Sequence, residues 1–372
     1  MQGTNNVNYK WGNSGENLSF RGQYGGVFLI PKNHEYVRKL KQHLGILGIK
    51  VELLKPFHYS SLSNIMKIMW FSRRGFRIIH VHWLYVFPFP LVMKVFYWLC
   101  RVLGLKIIWE MHNILPHNFK PKDVFAGKWF YERVDGIIYH SEADIERAEK
   151  ALETTVKKPS LIVPHGNFND SYENKIGRAE ARERLKIPTN KKVILCFGFI
   201  RKNRGYEYLI EATRDMHDTV VIIAGRLLEE ETYEKLLEYQ KFAPNLKIFA
   251  KWIPNEEVQV FFNACDIVVL PYTQITTSGV IPLAYSFSRP VITSAIGGIK
   301  DVVNEKTGIL VPPGEPDALR RAIVQLFEMD VEGMGRAAHE FSNHQLDWEP
   351  ITGNIKKLYL RVLGDQSFQS SS

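Results

Sequence analysis

The stretch from Cys196 to Ala212, CFGFIRKNRGYEYLIEA, places Arg201 and Arg204 between Gly198 and Gly205, where an apolar run ends and a helical pattern begins. A strand-to-helix turn leaves backbone amides free, and the helix dipole adds partial positive charge there. Gly198 permits close approach of the backbone, and two permanently charged guanidinium groups match phosphate oxygens. The chemistry is that of an anion site, suited to a diphosphate that gains charge as a glycosidic bond breaks. The plainer use of the same residues is a basic turn that caps a domain.

The first half offers proton-transfer groups. His80 and His82 alternate on an apolar strand, and Glu110, His112 and His117 lie at or after the end of the next one. Strand ends of this kind face a ligand crevice in parallel sheets. Glu110 is the carboxylate candidate for a base that activates an acceptor hydroxyl, although a two-residue shift of the strand end would bury it. His34 and Tyr36 open the first helix, where polar residues either meet a ligand or cap the helix.

Short apolar runs alternating with helical stretches must position these groups. Strands are expected at Val27 to Pro31, Val51 to Leu54, Ile78 to His82, Lys106 to Glu110, Gly136 to His140 and Ser160 to Val163. Helices are expected to begin near His34, Ser61, Pro90, Phe125 and Glu142. After a polar stretch around HGNFNDSYENK the alternation restarts, with strands at Val193 to Phe197, Thr219 to Ile223, Leu246 to Ala250, Ile267 to Pro271, Val291 to Thr293 and Gly308 to Val311. Repeated strand-helix-strand units imply parallel sheets covered on both faces. The fold class is therefore α/β, with two doubly wound Rossmann-like domains facing a cleft. The expected division is a loose arm over 1–25, a first Rossmann-like domain over 26–170, a second over 171–345, a helix over 346–364 that packs back toward the first domain, and a tail over 365–372.

Composition narrows the partners. The net charge of +9 resides in residues 1–120, which hold 16 Lys and Arg against 4 Asp and Glu. Leu62, Ile65, Met66 and Met69 recur at helical spacing, with Trp70, Phe71, Lys67, Arg73, Arg74 and Arg77 close by. Such a basic amphipathic segment suits either a core helix with a solvated face or attachment to an anionic membrane surface. Its aromatic residues follow helical rather than exposed-sheet patterns, so nucleic acid is not expected as a partner. The apolar run from Phe87 to Trp109 is interrupted by Lys94, Arg101, Gly104 and Lys106, and reads as a helix and a buried strand rather than a membrane span. The chain start lacks a signal-peptide pattern, which points to a cytoplasmic protein, peripheral on the inner face of the plasma membrane. Cys100, Cys196 and Cys265 lack metal-type spacing, and no paired-aspartate motif is present to hold a divalent ion. No metal or resident cofactor is expected.

The arginine turn resembles the "G-x-I-R-x-x-K-G-…-L-I-x-A" segment of family 4 (group 1) glycosyltransferases of the GT-B type, with Arg204 where lysine is usual. Further stretches follow in the family's order. Trp252-Ile253-Pro254-Asn255 resembles the loop that meets the nucleobase, and Ala264 to Pro271 resembles the "A-D-…-L-P" strand. Thr276-Thr277-Ser278-Gly279 precedes a helix, and Gly297 to Val303 resembles the "G-G-x-x-E-x-V" turn. In the first half, Asn33 to Tyr36 resembles "N-P-Y", while His112-Asn113 with Pro116-His117 resembles "H-N-…-P-H". His165-Gly166 resembles the "H-G" turn that lines the cleft in relatives. The resemblance covers residues 27 to 364.

It implies transfer of a sugar from a nucleoside diphosphate donor, UDP or GDP, to a hydroxyl of a saccharide acceptor, lipid-linked in the favoured reading. His112 would meet the donor sugar or its phosphate, Trp252 and Ile253 the base and ribose, and Gly198, Arg201, Arg204, Thr277, Ser278 and Gly279 the diphosphate. His34, Tyr36, Asn113 and His117 would meet the acceptor or sugar. One departure stands out: the two glutamates that retaining members carry eight positions apart, around Ile275 to Leu283, are both replaced by apolar residues. Retention and inversion both stay open. The alternatives are a catalytically silent partner of the same architecture and, further off, a nucleotide-sugar epimerase.

Overall fold

The computed structural model describes residues 26–114 and 121–364, so the N-terminal arm, His117 and the polar tail lie outside the described residues. The chain divides into two compact units, one ending at Gly166 and taking in the segment from Asp347 onward, the other spanning Asn167–Leu346.

The N-terminal unit is built from β1 (Gly26–Ile30), α1 (Glu35–Ile46), β2 (Lys50–Leu53), α2 (Phe57–Ser72), β3 (Phe76–Val81), α3 (Pro90–Val102), β4 (Lys106–Glu110), α4 (Pro121–Tyr131), β5 (Gly136–Tyr139), α5 (Glu142–Leu152), β6 (Ser160–Ile162) and the late helix α13 (Trp348–Leu363). Its six strands are parallel in the order β2-β1-β3-β4-β5-β6. Strands covered on both faces read as unbroken apolar runs, as in GVFLI of β1 and GIIY of β5. One core joins Phe57 and Ile68 of α2, Met93 and Phe96 of α3 and Phe130 of α4 to one sheet face. A separate core joins Tyr36 and Leu40 of α1 to Ile351, Ile355 and Tyr359 of α13.

Two helices begin four residues earlier than the sequence periodicity suggests. Pro56 immediately precedes α2, and Pro121 is the first residue of α4. Proline has the backbone angle a helix start needs and lacks an amide that would go unpaired there anyway.

The C-terminal unit holds α6 (Arg178–Arg184), β7 (Lys192–Phe197), α7 (Tyr206–Thr213), β8 (Thr219–Ala224), α8 (Glu230–Gln240), β9 (Leu246–Phe249), α9 (Asn255–Ala264), β10 (Ile267–Leu270), α10 (Val280–Ser286), β11 (Val291–Ser294), β12 (Gly308–Val311), α11 (Pro316–Glu328) and α12 (Val331–Gln345). Its parallel sheet runs β12-β11-β10-β7-β8-β9. The order reverses beside β7 and β10 here, and beside β1 and β3 in the first unit. In open α/β sheets ligands bind outside the strand ends at such reversals. All three cysteines are buried.

Candidate active site

The C-terminal ends of β3 to β6 each deliver a histidine: His82, His112, His140 and His165. They gather with His80 around Glu110, the last residue of β4. Tyr36 Oη donates to Glu110 Oε1. His80 Nε2 lies 3.0 Å and His82 Nδ1 2.9 Å from Glu110 Oε2, and His112 Nε2 and His140 Nε2 each lie 3.7 Å from Oε1. The contacts at Oε2 are close but off the line of a hydrogen bond. Around this shell, His80 Nδ1 bonds Tyr359 Oη at 2.7 Å, and His140 Nε2 meets His112 Nδ1 at 3.0 Å. A carbonyl can only accept, so His140 Nδ1 donates to Val163 O at 3.0 Å and His165 Nδ1 to Gly166 O at 2.9 Å. Trp83 stacks on His112 with ring centroids 4.5 Å apart, and Tyr36 meets it edge-on at 4.6 Å.

Burial opposes a charge on Glu110, yet the imidazoles of His82 and His112 and the contacts from His80 and His82 hold its carboxyl well below the usual range. Burial, with His140 beside it, pushes His112 well down. Burial and a neighbouring histidine likewise lower His82 and His34 to about 4 and His165 to about 3. The cluster is thus a carboxylate ringed by imidazoles, of which burial keeps His82, His112 and His165 neutral.

Glu110 was expected to reach an acceptor hydroxyl. The structure seals its carboxylate completely, at 0% exposure, beneath Tyr36, His80 and His82. The side chain points inward from the strand end, a choice of face that the sequence leaves open. His112, at 5%, is nearer the surface. His34 accepts the Tyr36 amide through Nδ1 at 3.2 Å, so it caps α1, and its ring also meets Trp83 at 4.5 Å. Asn113 follows His112 and is half-buried. His140 and Tyr359 are members that sequence reasoning missed. The recurrence of histidine just after four successive strands was the available signal for His140, whereas Tyr359 lies 249 residues beyond Glu110. Two trios offer metal-ligating atoms, His80 with His82 and Glu110, and Glu110 with His112 and His140. They share one carboxylate, and each supplies three of the four donors a structural zinc site uses.

In the C-terminal unit, β7 ends at Phe197 and Gly198 turns the chain at φ +118, where a Cβ would stand 2.9 Å from Arg204 Nη2. Gly205, at φ +67, opens α7 so close to the strand beside it that a Cβ would lie 2.0 Å from Pro271 O. Between them Arg201 and Arg204 are both buried. Arg204 Nη1 donates to Tyr272 Oη at 2.7 Å, and Tyr272 Oη bonds Ser278 Oγ at 2.8 Å. Ser278 Oγ also accepts the Val280 amide at 3.3 Å. Among the described residues neither arginine has a carboxylate within salt-bridge distance, and Nε of each has no partner. Burial and the charge of Arg204 lower Arg201 to about 10. Thr277 and Gly279 flank Ser278 ahead of α10, which is only seven residues long. Trp252 is exposed beside buried Ile253, and Leu283 is buried.

Two Rossmann-like units, each with polar residues gathered at its sheet's reversal point, define a protein of the GT-B type. Residues 191–329 match the family model described as glycosyl transferases group 1. A D-inositol 3-phosphate glycosyltransferase of Corynebacterium urealyticum is 25% identical over 61% of this chain and 57% of its own length, so the match takes in little more than half of that relative. A GDP-mannose:glycolipid 4-beta-D-mannosyltransferase of Xanthomonas campestris pv. campestris is 25% identical over 82% of this chain and 87% of its own. Sucrose-phosphate synthase from Thermosynechococcus elongatus shares the fold, with a TM-score of 0.72, 19% identity and coverage of 91% of this chain and 98% of the other.

Proposed function

We propose that the protein is a metal-independent glycosyltransferase that moves a sugar from a UDP- or GDP-sugar to a hydroxyl of a lipid-linked saccharide. The observation that carries this reading is the pair Arg201 and Arg204, two buried guanidinium groups without a carboxylate partner among the described residues. A buried charge without a partner is costly unless a ligand supplies the opposite charge. When the bond from the sugar anomeric carbon to the diphosphate breaks, the electron pair stays on phosphate oxygen, and both arginines, the Ser278 hydroxyl and the backbone of Gly198, Thr277 and Gly279 are assigned to receive it. Trp252 offers an aromatic face and Ile253 its backbone to the base and ribose. The new bond forms from the acceptor oxygen, whose proton leaves to a base or to the departing phosphate. His112 is assigned to the donor sugar or its phosphate, and Tyr36, His34 and Asn113 to the sugar or acceptor. Glu110 is assigned the role of ordering Tyr36 and the histidines.

The similarity to the GDP-mannose:glycolipid 4-beta-D-mannosyltransferase of Xanthomonas supports a GDP donor and a glycolipid acceptor. No helix among the described residues is long and apolar enough to cross a membrane. Attachment is assigned to α2, which exposes Leu62, Met66 and Trp70 and carries Arg74 over the Trp70 ring at 3.3 Å, on the cytoplasmic face of an anionic bilayer. Replacing Arg73, Arg74 and Arg77 together by Gln should release the protein from anionic vesicles and leave donor binding intact; unchanged cosedimentation would remove this part of the reading.

A second reading, a silent partner, draws on the apolar Leu283 at the missing glutamate. The deciding experiment measures melting-temperature shifts with UDP-, GDP- and dTDP-sugars, with and without a chelator, for the native chain and Arg201→Ala. A shift with one nucleotide family, insensitive to chelator and lost in the variant, is expected. Failure of every donor to shift the native chain would favour the silent partner.

A further inference from the structure

Helix α3 is apolar on two sides. Met93, Phe96 and Cys100 face the core. Leu91, Val95, Trp98 and Val102, spaced by four, three and four residues, form a second stripe that is 70%, 57%, 63% and 82% exposed. A helix that is apolar all round belongs in an apolar medium, and a contiguous patch of this kind marks a binding surface. At the start of α3 lies a hollow lined by Tyr85, Phe87, Phe89, Met93, Asp123 and Ala126. Pro88 and Pro90 flank Phe89 and fix the backbone angle on either side of it, and Phe89 itself is exposed.

Ring contacts lead from this hollow back to the histidine cluster. Tyr85 meets Trp83 at 5.9 Å, and Trp83 stacks on His112 at 4.5 Å. Residues 55–106 contain eight Lys and Arg and no Asp or Glu, an excess of positive charge even with Asp123 in the wall of the hollow and Asp135 paired with Arg101 and Lys106. The neighbouring α2 packs on the same sheet face, with Phe57 against Phe87 and Phe96, and adds its own exposed Leu62, Met66 and Trp70.

The geometry points to the hollow and the outer stripe of α3 as the seat of the apolar chain of a phosphate-bearing lipid acceptor, held in the membrane with its head directed along Trp83 toward His112. An apolar stripe with flanks of net positive charge fits a hydrocarbon chain beneath phosphate headgroups. The role of the lipid as acceptor rests on the glycosyl transfer reading; the seat itself does not.

The test uses the full chain, anionic vesicles and a polyisoprenyl diphosphate carrying a diazirine in the isoprene units next to the phosphates. Photolabelling should fall on peptides covering residues 85–102. It should drop at least fivefold in Phe89→Glu and in Trp98→Glu, both exposed positions where the melting temperature is expected to hold. Labels spread over other peptides, or undiminished in both variants, would overturn the assignment. So would a vesicle-free dimer that Trp98→Glu splits while labelling persists, since the stripe would then be a contact between copies. The donor-induced melting shift is read on the same samples. Loss of labelling with that shift intact removes the lipid seat alone, whereas labelling without any donor shift keeps the seat and removes the transfer reading.

Discussion

Replacing Arg201 by Met should stabilise the ligand-free protein while removing its affinity for nucleotide sugars. Burial and the nearby charge of Arg204 lower Arg201 to about 10 from an ordinary 12.5. A drop of that size corresponds to roughly 3 kcal/mol against the charged form in the folded state. The edge of the group still reaches solvent, which reduces the usable figure to about 1 to 2 kcal/mol. The unfolded chain carries the same charge in water, so this penalty on folding is present at every pH below about 10 and fades as pH rises toward 12.5. An assay at pH 7 lies well inside that window. Methionine keeps the length and apolar stem without the charge. For a unit of this size about 1 to 2 kcal/mol raises the melting temperature by roughly 2 to 8 °C. Differential scanning fluorimetry of both proteins, alone and with a saturating nucleotide sugar, gives both quantities. A ligand-free variant that melts lower than the native chain, with its donor-induced shift retained, would refute the view that Arg201 is held unpaired for an anion.

Acid should weaken the N-terminal unit well before carboxylates protonate. His82 and His165 stay neutral in the fold down to about 4 and about 3, whereas they take up protons near 6.5 when unfolded. Their stabilisation is complete above that value and is lost as pH falls below it, by up to about 1.4 kcal/mol per pH unit for each. The melting temperature measured between pH 7 and 4 should fall accordingly, and His82→Gln should flatten the curve. Gly205→Ala should disable the C-terminal unit, because the added Cβ would meet Pro271 O at 2.0 Å in a backbone conformation at φ +67; an unchanged melting profile and donor shift would contradict the tight approach of α7 to β10. Glu110→Ala should cost about 3 to 5 kcal/mol, the usual result of removing one member of a buried charged cluster, and denaturant unfolding would measure it.

The strands were legible because parallel strands covered on both faces need apolar residues at every position, which leaves a run such as ILCF or VVL little other use. The turn at Arg201 and Arg204 was legible for a related reason: glycine at two tight backbone positions and arginine between them leave a mark on the chain itself. Helix starts at Pro56 and Pro121 were missed by four residues because the apolar spacing begins later than the backbone geometry. The arginine turn thus depends on neighbours in sequence, and local pattern is enough to find it.

The histidine cluster depends on neighbours in space. Which face of β4 receives Glu110 follows from register against β3 and β5, and a one-residue change in that register would turn the carboxylate to the other side. Its partners come from the ends of β3 to β6, from the start of α1 and, through Tyr359, from α13 near the far end of the chain. The sequence alone determined the α/β alternation, the basic first third and the arginine turn. Only the tertiary structure decided that Glu110 is sealed among imidazoles and that α3 turns a second apolar stripe outward, because both depend on what each side chain packs against once the sheet has formed.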